Sequence, residues 1–163
     1  MRSRLGFTLI ELISVILLIG ILAVTALPKL SIVNNSSALI EASDRLTSLL
    51  RHSQLQSMQN TQTLACYKVI LSASRFGQQS SNCTSVQLAT QFSPDYLGFS
   101  EAEANSAKLS IQLNNTAIAS NTQITFNSLG VPQNACANGC QIKLELNSQS
   151  RIIYIEPQGY IHL

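Results

Sequence analysis

A run of 21 residues, Phe7 to Leu27, constrains this chain more than any other feature. The segment FTLIELISVILLIGILAVTAL holds 16 apolar residues, with Glu11 as its only charge and Gly20 as its only helix-weakening residue. As a helix it would be about 31 Å long, about one hydrocarbon thickness. A short basic leader, Met1-Arg2-Ser3-Arg4-Leu5-Gly6, precedes it, and its arginines would hold that end on the cytoplasmic side. Three kinds of segment fit. A secretory signal peptide would have an uncharged apolar region of about 7–15 residues, and Val24-Thr25-Ala26 offers it a small-residue cleavage site. A plain transmembrane anchor fits the length. A third kind gives Glu11 a function, because a lone carboxylate at lipid depth is expensive and usually functional. It also accounts for the glycine set immediately before the apolar run.

The heptapeptide Gly6-Phe7-Thr8-Leu9-Ile10-Glu11-Leu12 resembles the class III signal of type IV pilins and type II secretion pseudopilins. Pro28 fits the same pattern, 22 residues along when Phe7 is counted as one. The resemblance implies that a prepilin peptidase cuts between Gly6 and Phe7 at the cytoplasmic face and N-methylates Phe7. A glycine at the scissile bond suits close approach to extended backbone. The resemblance also implies that Glu11 meets the new N-terminal amine of a neighbouring subunit in a filament core and sets axial register. Pairing would relieve the cost of a carboxylate in hydrocarbon; the plain alternative is a Glu11 that stays protonated in the bilayer. The implied partners are the prepilin peptidase, other major and minor pilins along the N-terminal helix, an inner-membrane assembly platform and inner-membrane lipid. The implied location is the bacterial inner membrane as a single pass with a periplasmic head, then the pilus at the cell surface.

Pro28 inside a transmembrane segment predicts a kink rather than an end. Leu39, Ala42, Leu46, Leu49, Leu50, Ser53 and Ser57 recur at helical spacing, with Glu41, Asp44, Arg45, Arg51 and His52 mostly between them. Asn34-Asn35-Ser36-Ser37 is a weak stretch of poor helix formers. The helix is expected to reach about Gln59. From Thr63 the period changes to two. Alternation predicts strands over 64–71, 86–92, 109–113, 124–126 and 142–146, then a terminal hairpin of 151–156 and 159–163 about the turn Pro157-Gln158-Gly159. The expected fold is α+β: a leader over 1–6, a transmembrane or filament-core helix over 7–27, its amphipathic continuation over 28–60, and a periplasmic β-rich head over 61–163 of six or seven short strands. Ile124 to Gly130, with the late Arg-Ile-Ile-Tyr-Ile-x-Pro-x-Gly at 151–159, resembles the GspH/FimT class of minor pilins and pseudopilins. Residues 21–29, and Cys66-Tyr67 with Phe76-Gly77 and Cys83, are similar to pilins of the mannose-sensitive haemagglutinin (MSHA) type.

Four cysteines, Cys66, Cys83, Cys136 and Cys140, allow three pairings. The periplasm implied by the leader makes disulfides the default. Local pairing, Cys66–Cys83 and Cys136–Cys140, is favoured by the turn-rich stretches around each pair. The first would close a loop of 16 intervening residues and contribute about 3 kcal/mol. A structural zinc would need two C-x₂₋₄-C pairs, and only Cys136/Cys140 has that spacing.

An enzyme reading finds no support in the motifs. His52 and His162 stand alone, and no nucleophile elbow, zincin, phosphate-loop or dinucleotide fingerprint is present. Glu101 and Glu103 read as a solvated polar loop. No catalytic residue, cofactor or metal is therefore assigned. The formal charge of +2 with no Lys/Arg run argues against a nucleic-acid binder, and from residue 28 onward 8 Lys/Arg face 7 Asp/Glu. Loss of Arg2 and Arg4 with the leader leaves 8 Lys/Arg against 8 Asp/Glu, a side-chain-neutral mature chain. The expected function is structural: a minor pilin acting in assembly or priming of an MSHA-type pilus, by family analogy at its tip. The alternatives are a type II secretion pseudopilin, a minor pilin that binds DNA or a surface glycan, and a secreted protein cut after Ala26.

Overall fold

Apolar residues at helical spacing on both sides of Pro28 and a change of period beyond Thr63 call for one long helix followed by strands. A computed structural model of the chain describes residues 9–59, 67–78, 86–88, 92 and 97–163; within the helix, side chains are described for 9–22 and 36–59. Helix α1 (Leu9–Gln59) runs 51 residues and passes through Pro28 and the Asn34–Ser37 stretch without interruption. The chain divides into two compact units, Met1–Asn34 and Asn35–Leu163.

The described part of the first unit is helix alone. The second unit places two antiparallel sheets around the later turns of α1. One has four strands in the order β2 (Phe76–Gln78), β1 (Val69–Leu71), β5 (Thr122–Phe126), β6 (Pro132–Asn134). The other has five, in the order β4 (Thr116–Ala117), β3 (Leu109–Leu113), β7 (Cys140–Leu146), β8 (Gln149–Ile155), β9 (Ile161–His162). A helix followed by two antiparallel sheets is an α+β arrangement. Of the expected strand 64–71, residues 64–66 lie outside the described residues. Of the alternation 86–92, residues 89–91 do likewise, and Leu88 makes an isolated bridge.

The core follows from the two periodicities. Leu39, Ala42, Leu46, Leu49 and Leu50 bury one stripe of α1. Against it lie Cys140, Ile142, Leu144 and Leu146, the alternate residues of β7, with Ile153 and Ile155 of β8. Fully burying each of these aliphatic side chains stabilises by about 1.5–3 kcal/mol. The three polar residues buried in this stripe are hydroxyls that donate to backbone carbonyls: Ser43 to Ile40, Thr47 to Ser43 and Ser53 to Tyr67.

Short turns set the strand registers. Leu113 pairs with Thr116 across Asn114-Asn115, both at positive φ (51° and 61°), as a two-residue hairpin of the primed type requires. Leu146 pairs with Gln149 across Asn147-Ser148. The terminal hairpin forms as predicted: the Gly159 N–H donates to the Glu156 carbonyl at 2.8 Å and the Glu156 N–H to the Tyr160 carbonyl at 2.9 Å.

Three strands and one helix escape the pattern reading. β2, β4 and β6 have two or three residues each, too few to show a period of two. The supposed polar loop at Glu101 and Glu103 is helix α2 (Glu101–Ala107), a correction that its own sequence supports. Ser100 and Glu103 form a capping box: the Glu103 N–H donates to Ser100 Oγ at 3.3 Å, and the Ser100 N–H donates to Glu103 Oε2 at 2.8 Å. Glu103 then holds α2 to α1, because Arg45 donates to its Oε1 at 2.8 Å and to Glu41 Oε1 at 2.7 Å. Glu101 faces Arg75 at 3.6 Å.

Gln54 fastens α1 to the turns at one end of the sheets. Its Nε2 donates to the Gly130 and Gly159 carbonyls, both at 2.7 Å. Arg51 adds a bond to the Ile161 carbonyl at 3.0 Å. Gly159 has φ +92°, and a Cβ there would stand 2.2 Å from the Gly130 carbonyl oxygen. Two expectations follow for the detergent-solubilised full chain. Gly159→Ala should cost about 1–3 kcal/mol in urea denaturation; an unchanged midpoint would show that the two turns part around the added methyl without cost. The second expectation concerns acid. Partial burial pushes the Glu103 carboxyl up, but the hydrogen bonds from Ser100 and the Arg45 guanidinium outweigh it and hold it below its ordinary 4.5. A depressed folded value contributes stability that is present above pH 4.5 and lost as pH falls through the folded value. Stability of the parent chain should therefore fall more steeply below that pH than stability of Glu103→Gln, and equal slopes would contradict the assignment.

Candidate functional site

Between Leu9 and Leu22 the helix has no polar face. Eleven large apolar side chains in this stretch are exposed, from 43% at Ile13 to 75% at Leu9. They occupy successive positions rather than a stripe, so no rotation of the helix hides them against a single neighbour. A helix apolar all round is stable only within lipid or among other apolar helices. Covering each side chain is worth about 1.5–3 kcal/mol, so the drive to be covered is large.

Glu11 is the only charge in this stretch. The Ser14 hydroxyl donates to the Glu11 carbonyl at 2.9 Å, satisfying backbone within the helix. Whatever covers the surrounding leucines and isoleucines removes Glu11 from water as well. The carboxylate must then be neutralised or meet a cation.

The remaining sequence-predicted residues fall as follows. Gly6 and Phe7, the expected cleavage and methylation point, lie outside the described residues. Pro28 stands within α1, and the side-chain geometry of its expected kink lies outside the described residues. Cys66 and Cys83 lie outside them too. Among the described residues no helix is long and apolar enough to cross a membrane. The described side chains of the apolar run stop at Leu22, and the run in the sequence continues to Leu27.

Cys136 and Cys140 form a disulfide with a Cα–Cα separation of 5.0 Å, which gives that pair a structural role and removes it as a metal site. The bridge closes the turn between β6 and β7. The Cys136 N–H donates to the Gln133 carbonyl, the Ala137 N–H to Asn134 and the Gly139 N–H to Cys136. Both cysteines belong to the buried core. Among the described residues no three His, Cys, Asp or Glu side chains come together as metal ligands. His52 is exposed on α1. His162 lies between two tyrosine rings, 5.2 Å from Tyr154 and 5.1 Å from Tyr160, with its Nε2 3.2 Å from Glu156 Oε1.

Pattern reading missed Gln54 and the linked set Arg45, Ser100 and Glu103. A signal for the set was present in Ser100-x-x-Glu103. Gln54 carried none, because a lone amide on a helix reveals its partners only after the turns fold beneath it.

A family model described as prokaryotic N-terminal methylation motif matches residues 1–27. No curated protein matches the chain, and no solved structure does. The motif points to a type IV pilin-like protein of a pilus or pseudopilus, structural rather than enzymatic. It carries with it processing by a prepilin peptidase, N-methylation, pilin partners and association with membrane or pilus.

Loss of the Cys136–Cys140 bridge should weaken the head without touching the leader. The double change Cys136→Ser/Cys140→Ser closes no loop in the unfolded chain and should cost about 2 kcal/mol. Urea denaturation measures this, and mass spectrometry should find the same mature N-terminus as in the parent.

Proposed function

We propose that the chain is a minor pilin of a type IV pilus, acting in assembly and priming. The observation that carries this reading is the methylation motif over residues 1–27 joined to a helix that is apolar all round and bears one carboxylate. The precursor inserts through the run Phe7–Leu27 with Arg2 and Arg4 on the cytoplasmic side. A prepilin peptidase cuts between Gly6 and Phe7 and methylates the new amine. Residues 7–27 then serve as the transmembrane and filament-core helix, 28–60 as its continuation, with Pro28 as the kink, and 61–163 as a periplasmic head that later stands at the cell surface. Glu11 pairs with the amine of a neighbouring Phe7. The pairing offsets two desolvation costs at once and fixes the axial position of one subunit on the next. A second disulfide, Cys66–Cys83, tethers the segment after α1.

Within this class the chain is read as an MshC-like minor pilin of an MSHA-type pilus, placed at the tip. The support is sequence resemblance at residues 21–29 and around Cys66 to Cys83. A type II secretion pseudopilin shares the same N-terminal motif and is the second reading; assembly into surface filaments separates the two. A nucleic-acid ligand draws no support from a head whose charges nearly balance.

Two measurements test the reading. Mass spectrometry of the mature chain should find N-methylated Phe7 as its first residue, and a start at Leu27 would overturn the pilin reading. Glu11→Ala should leave that processing intact and lower recovery of the chain in sheared filaments by more than tenfold, since it strands an uncompensated buried amine. Normal recovery would remove the role given to Glu11.

A further inference from the structure

The turn between β6 and β7 holds the dipeptide Asn138-Gly139 inside the loop that Cys136 and Cys140 close. An asparagine followed by glycine readily loses its side-chain amide, because glycine sets no side chain in the way when its own nitrogen approaches the asparagine Cγ. Asn138 is exposed, and among the described contacts no hydrogen bond engages its side chain. Its carboxamide is free to swing, so the reaction turns on the Gly139 nitrogen. That nitrogen is held. Its N–H donates to the Cys136 carbonyl at 2.9 Å, closing a turn over Cys136-Ala137-Asn138-Gly139. Gly139 has φ +82°, and a Cβ there would stand 3.0 Å from Pro157 Cδ and 3.1 Å from the Ile155 carbonyl oxygen. Turning the Asn138–Gly139 peptide until the nitrogen faces Cγ breaks the bond to Cys136 and moves Gly139 against these neighbours. The disulfide opposes that motion, because it ties both ends of the turn to the core: both cysteines are buried, their Cα atoms are 5.0 Å apart, and Cys140 pairs with Ile155 at the start of β7.

We propose that Asn138 is a latent deamidation site that the Cys136–Cys140 bridge holds unreactive. With the bridge open the turn unfolds locally and releases the Gly139 nitrogen. The nitrogen gives its proton to solvent and bonds to Asn138 Cγ; the bond from Cγ to the side-chain nitrogen breaks, and ammonia leaves. Water then opens the cyclic imide at either carbonyl, giving aspartate or isoaspartate at position 138. No electrons are exchanged, and solvent water is the only co-reactant. Each product adds one carboxylate to a mature chain whose side-chain charges balance at 8 against 8. Isoaspartate also routes the main chain through Cβ and so lengthens the turn that sets the two cysteines together. A chain whose bridge has not formed, or has been reduced, is thereby marked irreversibly.

The detergent-solubilised full chain and its Cys136→Ser/Cys140→Ser variant, held in warm, mildly alkaline buffer, test this by tandem mass spectrometry of deamidation at each asparagine. Asn138 should convert roughly 10–30 times faster in the variant, the factor by which loss of a short-loop bridge raises the open population of the turn. Asn127 and Asn147, each followed by serine in turns outside the loop, should keep the parent rates. Equal rates at Asn138 in the two chains overturn the proposal, and so does an equal rise at all three sites in a variant that keeps its urea transition. Gly159→Ala lowers stability with the bridge intact and should leave Asn138 at the parent rate; acceleration as large as in the double variant also overturns it. Should the double variant not fold, oxidised parent is compared with reduced and alkylated parent in denaturing urea, where neither has a fold to lose. The closed ring should still slow Asn138, and equal rates there overturn the proposal.

Discussion

The buried stripe of α1 is the constraint on which the head depends. Leu39, Ala42, Leu46, Leu49 and Leu50 supply one wall of the core, and the inward residues of β7 and β8 supply another. Neither wall is stable alone, since short antiparallel strands need a covered face and a solitary helix needs somewhere to put its apolar stripe. The buried hydroxyls of Ser43, Thr47 and Ser53 fit within the stripe because each finds a carbonyl. Gln54 then fixes the end of the packing. Its amide replaces water at two turn carbonyls that would otherwise face each other across the Gly130–Gly159 contact.

The same helix carries two kinds of surface, and the change between them is written in its side chains. From Leu9 to Leu22 apolar residues occupy every azimuth, whereas from Leu39 to Leu50 the buried ones keep to one stripe. A helix of the first kind asks for an apolar solvent, and one of the second asks for a sheet on one side and water on the other. Continuity of α1 through Pro28 puts both demands on a single element. Glu11 is the single charge inside the apolar part, where electrostatic interactions strengthen once water is excluded.

Legibility of the chain tracked the length of its patterns. The helical stripe from Leu39 to Leu50, the alternation of β7 and the terminal hairpin at Pro157-Gln158-Gly159 were readable because each spans enough residues for a period or a turn signature to show. The Cys136–Cys140 bridge was readable from a spacing that only a tight turn can close. β2, β4 and β6 were not, since their pairing is decided by neighbours distant in sequence: β6 lies beside β5 because the Asn127 turn folds back, with Asn127 Oδ1 accepting from the Leu129 and Val131 N–H groups. Helix α2 was readable in principle from its capping box, but two glutamates among small polar residues look like solvated loop until Arg45 is known to face Glu103 and Arg75 to face Glu101. The N-terminal signal was legible for a different reason, being a motif read by a peptidase as sequence rather than as fold.

The charge of the chain bears on how such a molecule associates. The net +2 resides in Arg2 and Arg4, and without the leader positive and negative side chains are equal in number. A protein far from neutrality stays apart from its copies by self-repulsion, and a neutral one does not. Neutrality alone gives indiscriminate association, so specificity has to come from where the few charges sit. Most of those in the head are already paired locally: Arg45 with Glu41 and Glu103, Lys143 with Glu145, Arg75 with Glu101. Pairs satisfied within the fold in this way offer little to a neighbour. An unpaired charge on an otherwise neutral, polar surface then carries more information about orientation than it would on a highly charged one, because few competing contacts exist.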